Sequence, residues 1–273
     1  MKLFSITTLG CKVNRYESEA IAEQLEDQGW HAAEKATTAD LCIINTCTVT
    51  QKAATQCRQA ARKAIRDNPG ALTVVSGCYA QVSPEIFSAI PNVHYVIGNA
   101  CKDQIVQLIS ANTERGPVRT LVEDLSTPCP FQDMPLTKFG NRTRPFLKIQ
   151  DGCDAFCSYC IIPHARGRSR SLSPEVINKR LGSLKEGGYE EAVFCGINLG
   201  RYGADLEPST SLLDLIRMID GPKGLTRLRL SSIEPGELSD DLLKLLAASE
   251  HVCPHLHIPL QSGDDNVLKA MNR

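Results

Sequence analysis

Residues 152–167 read GCDAFCSYCIIPHARG and set Cys153, Cys157 and Cys160 in a C-x3-C-x2-C array. Three thiols in so short a loop cannot all be paired by disulfides, because the number is odd and the spacing too tight. They can hold one metal centre together. The stretch just before, PFLKIQ at 145–150, reads as a strand. The loop therefore leaves the carboxyl end of a strand, where α/β folds put their chemistry. A zinc site usually takes four ligands, typically as two C-x2-C pairs. Here there is one C-x2-C, a third Cys four residues upstream of it, and no matching second pair nearby. An iron–sulfur cluster normally has four cysteines, so three leave one iron open.

The rest of the chain alternates strands and helices. Strands are expected at residues 3–8, 30–33, 41–45, 72–76 and 93–97. Helices are expected between them at 16–28, 53–66 and 84–90, with another at 102–109. This rhythm predicts an N-terminal doubly wound parallel-sheet domain, residues 1–125. Residues 126–141, with Pro128, Pro130 and Pro135 and no period, read as a linker. Cys129 within it carries no assigned role. From 142 to 273 a second βα series follows, with strands at 145–150, 191–195, 225–230 and 255–259. Its helices are expected at 174–186, 211–219, 239–248 and 264–271. Four such units make a partial (β/α) barrel with no stop signal at its last residues.

Cys11, Cys47 and Cys78 each stand just past a predicted strand, in TLGCKVN, NTCTV and SGCYAQ. In a parallel sheet those strand ends share one edge, so three residues far apart in sequence are expected to converge there. Cys42 lies inside a strand and is expected to be buried. Cys57 is expected on the following helix, away from that edge. Twelve cysteines with no export signal, a net charge of −1 and 42% hydrophobic residues fit a protein of a reducing cytoplasm. No run approaches a membrane span, and the neutral balance gives nucleic-acid binding no support of its own.

C-x3-C-x2-C after a strand resembles the radical S-adenosylmethionine (SAM) enzymes. With TLGCKVNRYESE, NTCTV and SGCYAQ upstream, and FCSYCIIPHARGRSRS, GINLGRYG, RLSSIEP and HLHIPLQSGDDNVLKAMNR downstream, the whole chain resembles their methylthiotransferases. The opening and GINLGRYG look most like the branch acting on N6-threonylcarbamoyladenosine beside the tRNA anticodon. The resemblance implies two [4Fe–4S] clusters and SAM. Cys153, Cys157 and Cys160 would hold the cluster whose open iron chelates SAM, and Cys11, Cys47 and Cys78 the auxiliary, sulfur-carrying one. It implies reductive cleavage of SAM, removal of hydrogen from adenine C2, and transfer of a methylated sulfur to that carbon. The implied partners are tRNA, an electron donor and a sulfur donor, with no membrane. Isopentenyladenosine in tRNA and a ribosomal protein are the alternative targets. A metal-binding interaction module without turnover is the alternative of another class. Such enzymes usually continue with further barrel units and an RNA-binding domain, so the chain reads as C-terminally truncated and is not expected to methylthiolate tRNA as it stands.

The same resemblance places Gly196, Ile197 and Asn198 at the SAM amino group. Ser231, Ser232 and Glu234 end the third barrel strand and Gln261 the fourth, all facing the expected active-site mouth. Arg166, Arg168 and Arg170 form a basic run beside the cysteine loop. It reads as a contact to RNA phosphate or the SAM carboxylate, with Arg166 the cofactor candidate, or as a solvated loop. Phe156 and Tyr159 are read as shielding the metal centre. Neither His255 nor His257 is read as a ligand.

Overall fold

In the computed structural model the chain divides into two compact units. The first comprises residues 1–127, 132–136 and 164–166, and the second 128–131, 137–163 and 167–273. The structure describes residues 1–34, 39–111, 116–127, 129–137, 143–220 and 225–273. Of the expected linker, residues 128 and 138–141 lie outside the described residues.

The first unit runs β1 (Lys2–Thr8), α1 (Lys12–Asp27), β2 (Trp30–Ala32), β3 (Leu41–Thr46), α2 (Gln51–Asp67) and β4 (Leu72–Gly77). It continues with α3 (Cys78–Val82), α4 (Pro84–Ser88), β5 (Tyr95–Ile97), a 3-10 turn (Asn99–Gln104), α5 (Ile105–Ala111) and β6 (Arg119–Leu121). All six strands are parallel, in the order β2-β1-β3-β4-β5-β6. β3 and β4 are buried at every position, as central parallel strands are. The even positions of β3, Cys42 and Ile44, join Val75 and Val96 under Ala54, Cys57 and Ala61 of α2. Small residues on α2 let it sit close. Asn45, on the opposite face by strand alternation, meets Asn14 and Ser18 of α1. Helices thus cover both faces, and the strand order reverses between β1 and β3, the place where such sheets open a crevice.

α1 starts at Lys12, one turn earlier than its apolar period indicated, because its first turns bury Asn14 and Glu17 along with Val13 and Tyr16. β6, at the far edge of the sheet, was not anticipated.

The second unit comprises β7 (Phe146–Lys148), β8 (Gln150–Asp151), α6 (Ile162–Arg166, whose last three residues count with the first unit) and β9 (Arg170–Ser171). α7 (Pro174–Glu186), β10 (Glu191–Cys195), α8 (Leu212–Ile219), β11 (Arg227–Leu230), α9 (Asp240–Ala248) and α10 (Asp265–Ala270) follow. β7, β10 and β11 are consecutive parallel neighbours, as in the wall of a βα barrel. Ser173, Ser211, Ser239 and Asp264 cap α7 to α10 by accepting backbone N–H bonds. β8 and β9 form a short antiparallel ladder that closes the base of the cysteine loop.

The expected fourth barrel strand at 255–259 does not form. Two isolated parallel bridges, Leu228 to Val252 and Ser232 to His257, stand in its place. Pro254 and Pro259 carry no N–H to donate, and the His255 amide turns back to the Cys253 carbonyl at 2.7 Å. The chain runs beside β11 but cannot ladder with it.

Thr46 fixes the edge of the first sheet. Its hydroxyl donates to Ser76 O at 2.6 Å and accepts from the Tyr79 and Ala80 amides at 3.2 Å. Thr46→Val keeps the shape and strands three buried polar groups. The expected loss is about 1–3 kcal/mol of stability, read as a lower urea midpoint at unchanged slope.

Candidate functional site

Cys11 stands just past β1, after Leu9 and Gly10, as the N-cap of α1, Cys47 directly follows β3, and Cys78 directly follows β4 as the first residue of α3. β1, β3 and β4 are adjacent and parallel, so all three exits lie on the carboxyl edge, two of them flanking the switch point. Convergence has direct signs. A Cβ on Gly10, which sits at φ +103°, would stand 2.8 Å from Cys47 Cβ and 2.9 Å from its Sγ, so only glycine lets the β1 exit pass over Cys47. Burial pushes the Cys47 thiol up, the Val49 amide opposes this, Cys78 and Cys11 push it further, and Arg166 pulls it down. Cys47 therefore feels both other thiols.

Three polar side chains clamp these exits. Asn14 Nδ2 donates to Leu9 O (2.7 Å) and Thr46 O (2.9 Å), tying the β1 exit to the β3 exit. Asn45 Nδ2 donates to Asn14 O and Ser18 Oγ, both at 2.9 Å. Asn99 Nδ2 reaches Cys78 Sγ at 3.6 Å and Ala165 O at 2.6 Å. Asn14 and Asn45 stand inside TLGCKVN and NTC, and Asn99 just past β5. None was singled out, because a buried asparagine has no period of its own.

Cys42 is buried in β3 as expected. Cys57 is on α2 but not away from the edge. Its Sγ accepts from the Cys47 amide at 3.2 Å and donates to Cys47 O at 3.3 Å. Burial holds it protonated, with a pKa pushed up to about 11. The turn after β3 folds back over the first turns of α2, which sequence spacing does not reveal.

In the second unit, β7, β10 and β11 send their carboxyl ends to one edge, carrying the cysteine loop, residues 196–198 and residues 231–234. Gly152, at φ +72°, opens the loop where a Cβ would overlap Arg168 O. The Cys153 amide donates to Gly167 O at 3.0 Å and closes it. Burial raises the Cys153 thiol, the Ala155 amide lowers it, Cys160 and Cys157 raise it, and a hydrogen bond from Asn198 lowers it. Asn198 thus reaches the cysteine loop, and its amide also donates to Glu237 Oε1 at 3.0 Å. Gly196 and Ser231 stand at the ends of their strands. Ser232 Oγ lies 3.2 Å from His257 Nδ1, Glu234 pairs with Arg273, and Gln261 is exposed at φ 63°. Phe156 and Tyr159 are about half exposed. Among the described residues no three His, Cys, Asp or Glu side chains gather as a single metal ion requires.

The expectation for Arg166 needs correction. It is fully buried within the first unit, with Nη1 on Glu17 Oε1 at 3.0 Å and Nη2 on Asn14 Oδ1 at 2.5 Å. Only Arg168 of the basic run is exposed, paired with Asp154 at 3.1 Å. Arg170 is buried near Asp151 at 3.6 Å.

Gln150, also missed, is the hub of the second edge. Its Nε2 donates to Asp151 O, Gly152 O and Ser169 Oγ (2.8–3.0 Å), and its Oε1 accepts from the Ile197 and Asn198 amides, both at 2.8 Å. One side chain thus fixes the cysteine loop and the 196–198 turn together.

Residues 3–98 match the uncharacterized protein family UPF0004, and residues 147–273 the radical SAM superfamily. The threonylcarbamoyladenosine tRNA methylthiotransferase MtaB of Bacillus subtilis is 40% identical across 100% of this chain. That of Chlamydia pneumoniae is 38% identical across 99%. The chain belongs to the radical SAM methylthiotransferase family. It spans about 60% of the length of those relatives. The tRNA-2-methylthio-N(6)-dimethylallyladenosine synthase of Syntrophus aciditrophicus is 32% identical over 98% of the chain and 59% of its own length. Two structures of the radical SAM methyltransferase TsrM from Kitasatospora setae share the fold at TM-scores of 0.61 and 0.62. They are 15% and 16% identical, and the match covers 98% of this chain and 61% and 62% of theirs. One carries tryptophan and a SAM analogue, the other cobalamin and a [4Fe–4S] cluster. Family membership implies SAM and a [4Fe–4S] cluster for this chain. Among the described residues no helix is long and apolar enough to cross a membrane.

Gln150→Leu leaves the buried Ile197 and Asn198 amides without their acceptor. The expected cost is about 2–4 kcal/mol, from two stranded donors at about 1–3 kcal/mol each, partly relaxed. Hydrogen exchange at those two amides should accelerate, while exchange in β3 and β4 stays as in the parent. Unchanged exchange at 197 and 198 would remove Gln150 from its place as hub.

Proposed function

We propose that this chain carries the two cluster sites of a radical SAM methylthiotransferase acting on C2 of N6-threonylcarbamoyladenosine in tRNA, with one iron–sulfur cluster in each unit. The observation that carries the reading is the pairing of two open thiol triads, each at the carboxyl edge of its own parallel sheet. None of the twelve cysteines is in a disulfide. The donor sets fit iron–sulfur clusters: each triad offers three sulfurs and leaves one iron for another ligand. When bound, SAM on such a cluster supplies a radical able to take hydrogen from an unactivated C–H bond, which no general base can deprotonate usefully.

The residues have distinct tasks in this reading. Cys153, Cys157 and Cys160 hold the SAM-binding cluster, and Asn198 donates to the Cys153 sulfur. Gly196, Ser231, Ser232, Glu234 and Gln261 line the SAM side of the edge. Gln150 keeps the Gly196–Asn198 turn against the loop. Cys11, Cys47 and Cys78 hold the second cluster, positioned by Asn14, Asn45 and Asn99. Arg166 is withdrawn as a SAM contact, since its guanidinium is buried on Glu17 and Asn14. As domains of sequence, residues 1–125 carry the first triad and residues 142–273 the second, joined by the 126–141 linker. An electron donor and a sulfur donor complete the cycle, and a reducing cytoplasm suits the unpaired thiols. The higher identity to the threonylcarbamoyladenosine enzymes, 40% and 38% against 32%, favours that nucleoside over dimethylallyladenosine.

Anaerobic reconstitution with iron and sulfide tests this. Cys157→Ala is expected to abolish 5′-deoxyadenosine formation while leaving the second cluster's iron in place. Cys47→Ala is expected to keep 5′-deoxyadenosine formation and lose the second cluster, with no methylthio product. Normal 5′-deoxyadenosine yield from Cys157→Ala would overturn the assignment of the loop. Product from dimethylallyladenosine tRNA alone would move the chain to the other branch.

A further inference from the structure

We infer that Glu17, Lys102 and Arg166 form a buried network of charges beside the Cys11–Cys47–Cys78 site that tunes the group held there. The inference rests on the proposed reading that this triad holds an iron–sulfur cluster.

The three side chains are among the least exposed charges in the first unit, at 2%, 1% and 0%. Lys102 Nζ lies 2.5 Å from Glu17 Oε2, and Arg166 lies 3.0 Å from Oε1 and 3.3 Å from Oε2. One carboxylate therefore faces two cations. A single cation would neutralise Glu17, and burying a second is costly unless more negative charge is close. A cluster held by the triad would add negative charge at this edge, since three thiolates leave a cubane net negative.

The network is wired to the triad. Arg166 holds Asn14, which ties the exits bearing Cys11 and Cys47. Lys102 Nζ also lies 3.3 Å from Asn45 Oδ1, two residues before Cys47. The carbonyl of Ala165, next to Arg166, takes the same Asn99 amide that reaches Cys78. Each cation stands one side chain from a cysteine-bearing loop. Arg166 acts on Cys47 electrostatically as well, in the direction that favours the thiolate. These are positioning residues: they act on the site through Asn14, Asn45 and Asn99 and through their field.

The network is tested in the full chain with Cys153, Cys157 and Cys160 changed to Ala, which leaves one site to load with iron and sulfide. An EPR-monitored redox titration then reads its midpoint. Nearby positive charge favours the reduced cluster. Glu17→Gln should therefore raise the midpoint, by about tenfold in the reduced-to-oxidised ratio at fixed potential, or about 59 mV for one electron. Lys102→Met should lower it by a similar amount, and Arg166→Lys, which keeps the charge, should leave it near the parent. A purely structural role predicts lost stability without shifts of opposite sign, and unmoved or same-sign midpoints overturn the inference. If Lys102→Met does not fold, the contrast between Glu17→Gln and Arg166→Lys still decides. Failure of the parent background to bind iron strikes the cluster reading itself, and the inference falls with it.

Discussion

Parallel pairing of β1, β3 and β4 is the constraint on which the first site depends. In an antiparallel sheet alternate strands leave at opposite ends. Here every strand enters at one edge and exits at the other, so three cysteines separated by 36 and 31 positions (11 to 47, 47 to 78) come to one edge. The second unit repeats the device with β7, β10 and β11, collecting the cysteine loop and the turns after the next two strands. The candidate cysteines of both units stand past strand exits, and the central strands β3, β4 and β10 are buried throughout.

Exits are loops, and loops must be held. The chain does this with buried amides rather than with apolar packing. Asn14, Asn45 and Asn99 in the first unit and Gln150 in the second each satisfy groups from two or more segments. A primary amide offers two donors and an acceptor in one plane, so it joins backbone carbonyls and amides that no ladder reaches. Buried this way, such bonds are expensive to break, which gives the cysteine-bearing edges a rigidity that loops otherwise lack.

These features were unequally legible in the sequence. The cysteines could be read because a thiol just past an apolar strand stands out against its surroundings, and the resemblance then supplied their grouping. Strand β10 and helix α7 fell on their expected residues, where Ser173, Pro174 and the glycines after Glu186 punctuate the chain. α1 began early because Asn14 and Glu17 look solvated and are buried. The 255–259 strand failed because its prolines remove donors from an apparently strand-like pattern. ARGRSR reads as one basic surface, yet burial separates its members: Arg166 pairs with Glu17, Arg170 approaches Asp151, and Arg168 alone meets solvent. Ion pairing across more than a hundred residues leaves no local mark in a sequence.

The same motif of charge recurs in the second unit, where buried Asp151 lies 3.4 Å from Lys148 and 3.6 Å from Arg170, at the start of the cysteine loop. Buried ion pairs are weak sources of stability, since desolvation offsets most of their attraction. In the first unit the neighbouring thiols give such a pair a task besides folding, since Arg166 favours the Cys47 thiolate. Thiols crowded at a dry edge resist ionising together: burial raises Cys47 and Cys153, and their neighbours, Cys78 and Cys11 for the one and Cys160 and Cys157 for the other, raise them further. At the first edge a fixed cation, Arg166, opposes this rise at Cys47. Glu17, between Lys102 and Arg166, holds both in place more firmly than solvent would.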